Sequence, residues 1–413
     1  MNKFKSFPFY FLNVKFSKFL YKNGSRLLFG NLSIIMGQTL SEPITAKETA
    51  FVKNDLYEVA SSAMQGWRIK MEDAHTHILS LPDDPGTAFF GVYDGHGGAK
   101  TAQYAGRNLH KFIINRPEYK EGNITEALKQ AFLELDNAMI GDEYLKGEHS
   151  GSTAVTVIIK DNILYCANIG DSRAIASVNN KLEKLSWDHK PNNIEESKRI
   201  AEAGGWVDCN RVNGNLALSR AFGDYVFKAN SFKGDEKQIV IAVPDIVERK
   251  ITQDWDFLIL ACDGIWDVMS DEDVMYYVTE NIANGLESEL ICENLMMKCL
   301  APDCHLAGLG CDNMTVVLVV FLHGDSYDKV IEKCKNYVAE HKIGHETDDS
   351  EEPRDSEDED EDKILVFSDA QSKEEEPHSP PPPPSPKPAA AGCSAKRCAA
   401  NQNQPNKSEG EEQ

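Results

Sequence analysis

The sequence predicts an α+β fold in which two β-sheets pack together with helices outside them. From about residue 56 to 322, short runs rich in Val, Ile, Thr and Phe recur at close spacing, each bounded by Gly, Asp or Asn. Between them, apolar residues return at helical spacing in stripes that come in pairs. A chain of 413 residues, 41% apolar and 26% charged, has core enough for one large domain with extensions.

Residues 1–35 carry six Lys/Arg and no acid. Lysines interrupt the apolar run and no small-residue cleavage site follows, which argues against a secretory signal. An organelle-targeting segment and an alternative N-terminal extension both stay open. Residues 36–41, MGQTLS, match the pattern for N-myristoylation at Gly37 if translation begins at Met36. No run of 18 apolar residues is present. The expected division is a basic extension (1–35), an N-terminal arm (36–54), a main domain (55–325), a C-terminal helix (326–343) and an acidic, Pro-rich tail (344–413).

In the main domain the expected strands are Tyr57–Met64, Thr87–Tyr93, Thr153–Ile159, Ile163–Asn168, Arg173–Val178, Ile239–Val243, Phe257–Cys262 and Met314–Leu322. Ala102, Ala105, Leu109 and Phe112/Ile113 form one helical stripe, and Ile124, Leu128, Phe132, Leu135 and Met139 another. Ser270-Asp271-Glu272-Asp273 reads as a capping box opening a helix through Val274, Tyr277 and Val278. A last helix is expected around Tyr327–Lys342. The tail, with its acid run and SPPPPPSPKP at 379–388, cannot bury enough apolar surface to order itself.

Net charge is −23, with −12 on residues 344–413 and −17 on 36–343. An acidic body argues against nucleic-acid binding and fits cation binding. Ten cysteines without a CxxC pair form no disulfide framework and suggest a reducing compartment. Cys299, Cys304, His305 and Cys311 are soft ligands but lack the close pairs of a structural zinc site.

The acids at strand ends carry the chemistry. Asp94-Gly95, Gly170-Asp171 and Asp263-Gly264 each follow an apolar run, Asp267 lies four residues further on, and Asp312-Asn313 precedes one. Glu72-Asp73 follows the first strand. Carboxylates gathered at neighbouring strand ends repel one another without a cation. A set of hard oxygens favours Mg²⁺ or Mn²⁺, and such clusters hold two metals that acidify a bridging water and orient displacement at phosphorus. Arg68 is the candidate to hold phosphate, because a guanidinium matches its oxygens. His96, two residues from Asp94, is the candidate general acid. Singly, YDGHGG could be an ordinary turn, His96 a loop hydrogen-bonder and Arg68 a surface ion-pair partner.

GWRIKMEDAHT (66–76), VYDGHGG (92–98), SGSTAV (150–155), GDSRA (170–174), DHKP (188–191), GNLALSRAFGD (214–224), ACDGIWDVM (261–269) and CDNMTV (311–316) resemble, in order, the motifs of protein phosphatase 2C. These are metal-dependent serine/threonine phosphatases, and the resemblance covers roughly residues 55–322. It is greatest to the animal cytosolic/nuclear members that begin MG and are often N-myristoylated. The resemblance implies a β-sandwich of two antiparallel sheets flanked by pairs of α-helices, with metals in a cleft at one end, and makes 55–325 the catalytic domain. It implies that Asp94 bridges two Mg²⁺ or Mn²⁺ ions, that the Gly95 carbonyl binds one and that Asp263 and Asp312 hold the other. Glu72 and Asp73 would reach the metals through water, and Asp171 and Asp267 would form a third, weaker site. Arg68 would bind the substrate phosphate and His96 would act as general acid, a metal-bridging hydroxide attacking phosphorus without a phosphoenzyme. Residues from about 188 to 245 match the flap beside the cleft. No long acidic insertion interrupts the domain, and the C-terminal extension is reduced to one helix and the tail.

The expected function is therefore hydrolysis of phosphoserine and phosphothreonine on proteins. The alternative is an inactive scaffold of the same fold that binds partners through its acidic tail. The expected partners are phosphoprotein substrates, with no nucleic acid, and the chain is expected to be a monomer. It is expected in cytoplasm or nucleus, with weak membrane association if Gly37 is acylated.

Overall fold

A computed structural model describes residues 39–346 apart from 148 and 305–307. The chain divides into two units, Met1–Ser350 and Glu351–Gln413, and all described residues belong to the first. The basic extension, Gly37, His305 and the Pro-rich tail lie outside the described residues.

Two sheets face each other. One has six strands in the order Thr39–Lys53, Tyr57–Arg68, Met314–Phe321, Trp255–Ala261, Arg173–Val178, Lys181–Lys184. The other has five, in the order Asp245–Lys250, Ile163–Ile169, Ala154–Lys160, Ala88–Tyr93, Ala74–Ile78. Every pairing within both is antiparallel. The central strands read as unbroken apolar runs because both of their faces are covered. In Met314–Phe321, Val317, Val319 and Phe321 meet Phe90, Val92, Val155 and Leu258 between the sheets. The alternate residues Val316, Leu318 and Val320 instead pack against helices Asp271–Ala283 and Ser288–Cys299. On the opposite flank, Phe89, Tyr93, Ile158 and Ile169 cover helices Lys100–Asn115 and Ile124–Gly141. The expected antiparallel β-sandwich with paired outer helices is thus the architecture found.

Ser270 caps its helix by accepting from the Asp273 N–H at 3.1 Å. The three acids that follow it favour the positive end of the helix dipole. The last helix runs Tyr327–Glu346 and buries Val330, Cys334 and Val338 against the same core.

One expected strand is corrected and one segment gains a definite structure. Ile239–Val243 is not a strand; beyond a single bridge from Ile241 to Arg220 it forms no ladder. Its apolar residues are buried by tertiary packing instead, Val240 against Ile200, Val212 and Phe227 in the small core of the flap. The strand here starts after Pro244, at Asp245–Lys250. The segment expected as an N-terminal arm forms the fifteen-residue edge strand Thr39–Lys53. Its polar, half-exposed sequence carries little apolar alternation, and pairing with Tyr57–Arg68 orders it.

The flap is tied to the sandwich by a buried ion network. Glu196, on helix Ile194–Glu202, accepts from Arg199 at 2.6 Å and from Arg220 at 2.7 Å. Arg220 also reaches Asp245 at 2.7 Å, and His189 meets the same carboxylate at 3.1 Å. Burial opposes ionisation of Glu196, yet the two arginines hold its carboxyl down to about 2. A depressed folded-state pKa contributes stability that is complete above the unfolded value and lost as pH falls through the folded one. Hydrogen exchange should therefore show the flap loosening as pH drops from about 4 toward 2. Glu196→Gln should show that loosening already at neutral pH; unchanged flap protection in the variant would refute the role of the network.

Candidate active site

The acids that the sequence scatters over 240 positions meet where strand ends from both sheets converge. Carboxylate oxygens of Asp94, Asp171 and Asp263 all lie within 4.8 Å of one another. They line a cleft of about 1020 Å³ that is also lined by Arg68, Glu72, Gly95, His96, Asp267 and Asp312. Asp73 lies buried beneath it.

Local structure places each group. Asp94 follows the strand Ala88–Tyr93, and Thr153 clamps its backbone. The Asp94 N–H donates to Thr153 Oγ1 at 3.0 Å, and the Thr153 N–H donates to the Asp94 carbonyl at 2.9 Å. A Cβ on residue 95 would stand 2.2 Å from the Glu72 carbonyl oxygen, so only glycine lets the two turns touch. Asp263 opens the short helix Asp263–Trp266 after the strand Trp255–Ala261. There a Cβ on residue 264 would meet the Asn313 carbonyl oxygen at 2.1 Å. Asn313 is the clasp of the other rim. Its Oδ1 accepts the Glu72 N–H at 2.9 Å, and its Nδ2 donates to the carbonyls of Gln65 at 2.8 Å and Lys70 at 3.0 Å. Arg68 is thereby held beside Asp312, with which it forms a close ion pair.

A small three-stranded sheet, apart from the two large ones, positions His96. Gly95–His96 pairs with Gly151–Ser152, which pairs with Phe222–Gly223, so Asp224 emerges next to the imidazole. His96 Nε2 and Asp224 Oδ2 are 2.6 Å apart, and the Asp224 side chain is only 7% exposed. Burial alone would lower the His96 pKa, but the hydrogen bond and charge of Asp224, with Asp171 and Glu72 behind, raise it above its ordinary value.

Burial and mutual repulsion shift the carboxylates away from their ordinary pKa values. Burial, then repulsion from Asp263, Asp73, Asp312 and Asp171, pushes Asp94 well up. Burial, then Asp171 and Asp312, does the same to Asp263. Burial takes Asp73 up to about 7, against the hydrogen bond it accepts from Thr315 Oγ1 at 2.7 Å. Its other oxygen, Asp73 Oδ1, is buried with no hydrogen-bond partner. Burial also raises Asp312 and Asp267, Arg68 opposing the shift at the first and Lys190 at the second. An all-oxygen set of crowded, partly orphaned carboxylates fits a hard divalent cation, which removes the repulsion and leaves every acid ionised.

All ten acids and cleft groups singled out from the sequence therefore come together, with two refinements. Asp171 sits with Asp94 and Asp263 and is in close contact with Lys190, whereas Asp267 is exposed at the rim. Thr153, Asp224, Asn313 and Lys190 carried no expected role. Each lies inside a quoted motif, but its partner is distant in sequence and no spacing rule pairs the two.

The soft-ligand cluster resolves differently. Cys304 and Cys311 are joined in a disulfide, and Cys299 is a buried free thiol. The cystine counters the expectation of a wholly reduced chain. The two cysteines, seven positions apart, have Cα atoms 5.9 Å apart, a proximity that cysteine spacing alone did not reveal. Among the described residues, no helix is long and apolar enough to cross a membrane.

Comparison with known proteins agrees with this geometry. The family model for protein phosphatase 2C matches residues 57–307. The Caenorhabditis elegans protein named "Probable protein phosphatase 2C" is 58% identical over 299 residues, which is 72% of this chain and 84% of the relative. Protein phosphatase 2C homolog 2 of Schizosaccharomyces pombe is 49% identical over 294 residues, 70% of this chain and 80% of the relative. Among solved structures, a phosphatase from Toxoplasma gondii superposes with a TM-score of 0.58 at 29% identity, covering 67% of this chain and 96% of its own.

Proposed function

From the premise that the chain belongs to the protein phosphatase 2C family and is a serine/threonine protein phosphatase, we propose how its cleft works. A phosphoserine or phosphothreonine of a protein substrate enters between the Asp94–Asp171–Asp263 cluster and Arg68. The convergence of those three carboxylates within 4.8 Å carries this reading.

Asp94, the Gly95 carbonyl, Asp263 and Asp312 would hold two Mg²⁺ or Mn²⁺ ions, with Glu72 and Asp73 acting through water. Asp171 and Asp267 would serve a third, weaker site. Bound there, the ions would supply charge neutralisation at the phosphate and an acidified water for direct displacement at phosphorus, without a phosphoenzyme. Arg68 binds and orients the phosphate with its exposed guanidinium. His96 hands a proton to the departing serine or threonine oxygen, and Asp224 fixes the ring by holding Nε2. The protein acts in cytoplasm or nucleus as a monomer, joining membranes weakly only where Gly37 is acylated.

The full chain should release phosphate from phosphothreonine peptides, lose that activity in EDTA and regain it with Mn²⁺. Hydrolysis indifferent to EDTA would refute the metal assignment, and no hydrolysis under any condition would favour the scaffold alternative. Arg68→Ala should lower kcat/KM about 10- to 100-fold, the worth of a charge-assisted phosphate contact. Calorimetric Mn²⁺ binding should survive in that variant. Wild-type kcat/KM in Arg68→Ala would remove the residue from the site.

A further inference from the structure

The catalytic reading leaves the Cys304–Cys311 cystine without a role. The two residues, 8% and 6% exposed, form a small apolar cluster of their own with Trp67, Leu300 and Ala301. The cluster is joined to the active-site rim at both ends. Trp67 immediately precedes Arg68, and its ring N–H donates to the Ala301 carbonyl at 3.0 Å. Ala301 donates its own N–H to the Gly310 carbonyl at 3.0 Å, which closes the loop above the disulfide. Cys311 immediately precedes Asp312, the partner of Arg68, and Asn313, the clasp on Gln65, Lys70 and Glu72. Pro302, Asp303, Gly308 and Leu309 around the cystine are exposed, so it is buried only just beneath the protein surface.

We propose that Cys304 and Cys311 form a thiol–disulfide exchange site whose co-reactant is a small dithiol or the corresponding disulfide. Its redox state sets how firmly the Asp312–Asn313 turn, and with it Arg68, is held. In the reductive direction, a thiolate of the dithiol attacks one sulfur, breaking the Cys304–Cys311 bond and forming a mixed disulfide. The second thiolate of the reductant then displaces the cysteine, which takes up a proton. The chain gains two electrons and two protons as two thiols, and the reductant leaves as a cyclic disulfide. Reduction removes the covalent tie that closes the loop before Asp312, so the turn pays more ordering entropy when it engages a cation. The inference rests on the proposed assignment of Asp312 as a metal ligand.

The test uses the full chain equilibrated with oxidised or reduced dithiothreitol. Thiol alkylation read by mass spectrometry should find Cys304 and Cys311 protected in the oxidised form and both labelled in the reduced one. Calorimetry should then show Mn²⁺ bound about fivefold or more weakly by the reduced form, the lower range of usual coupling between sites. Indole emission should rise on reduction, because a disulfide against an indole quenches it, and Trp67→Phe should abolish that rise. The double variant Cys304→Ser, Cys311→Ser should bind Mn²⁺ like reduced wild type in both buffers. Should it fail to fold, the two forms of the wild type decide. Labelling of both cysteines after oxidation, or Mn²⁺ affinities within twofold of each other, would overturn the proposal. Absence of Mn²⁺ binding in both forms would instead bring down the metal assignment and this proposal with it.

Discussion

Asp263→Asn should reduce Mn²⁺-dependent hydrolysis of a phosphothreonine peptide by about a thousandfold, because metal-supplied charge stabilisation is worth several kcal/mol and each 1.36 kcal/mol is tenfold in rate. The same substitution should make the metal-free protein more stable. Asp263 is held among Asp94, Asp171 and Asp312; burial, then repulsion from Asp171 and Asp312, raises its pKa, and the hydrogen bond with Asp94 opposes the shift. The sign follows from linkage. A carboxyl whose folded pKa exceeds its unfolded value keeps protons in the native state that the unfolded chain has released, so stability falls as pH rises between the two values. For Asp73 that window runs from about 4 to about 7. The melting temperature of metal-free wild type should therefore fall from pH 4 to 7, and Asp263→Asn should flatten the fall. Saturating Mn²⁺ should raise the melting temperature of wild type and leave the variant nearly unmoved, because stabilisation by a ligand follows its affinity. A variant that retains both activity and the Mn²⁺-induced shift would exclude Asp263 as a ligand.

His96→Gln should cost about a hundredfold or more on phosphopeptides, within the usual range for a lost general acid. On p-nitrophenyl phosphate the loss should be far smaller, because nitrophenolate departs without a proton. The geometry behind this expectation is the imidazole held through Nε2 by a buried Asp224, which leaves Nδ1 as the other ring nitrogen available for the proton. Asp224→Asn should reproduce the same leaving-group dependence at smaller amplitude. Equal losses on both substrates, in either variant, would count against proton donation and for a purely structural histidine.

Much of the site was legible before any coordinates. Carboxylates stand where apolar runs start or stop, and an acid at the end of a buried strand has few ways to avoid its neighbours except a cation. The sandwich was legible for a related reason. Strands such as Met314–Phe321 and Trp255–Ala261 are apolar on both faces, which requires cover on both sides. The weaker elements were not. Helices Ile194–Glu202 and Ser288–Cys299 went unpredicted, and Ile239–Val243 has strand-like composition but is buried without pleating. Composition reports that a segment will be buried, whereas what covers it decides its conformation.

Local chemistry thus named the acids, Arg68 and His96, because hard-ligand types and strand-end positions are properties of short stretches of chain. Tertiary structure alone supplied what holds them. Thr153 lies 59 residues from Asp94, Asp224 128 residues from His96 and Asn313 241 residues from Glu72. Each of those contacts is a hydrogen bond whose geometry exists only once strands distant in sequence have paired side by side. The Cys304–Cys311 link is short in sequence and adjoins Asp312 along the chain, yet it too needed the fold: only packing against Trp67 shows that the cystine also borders the arginine of the cleft.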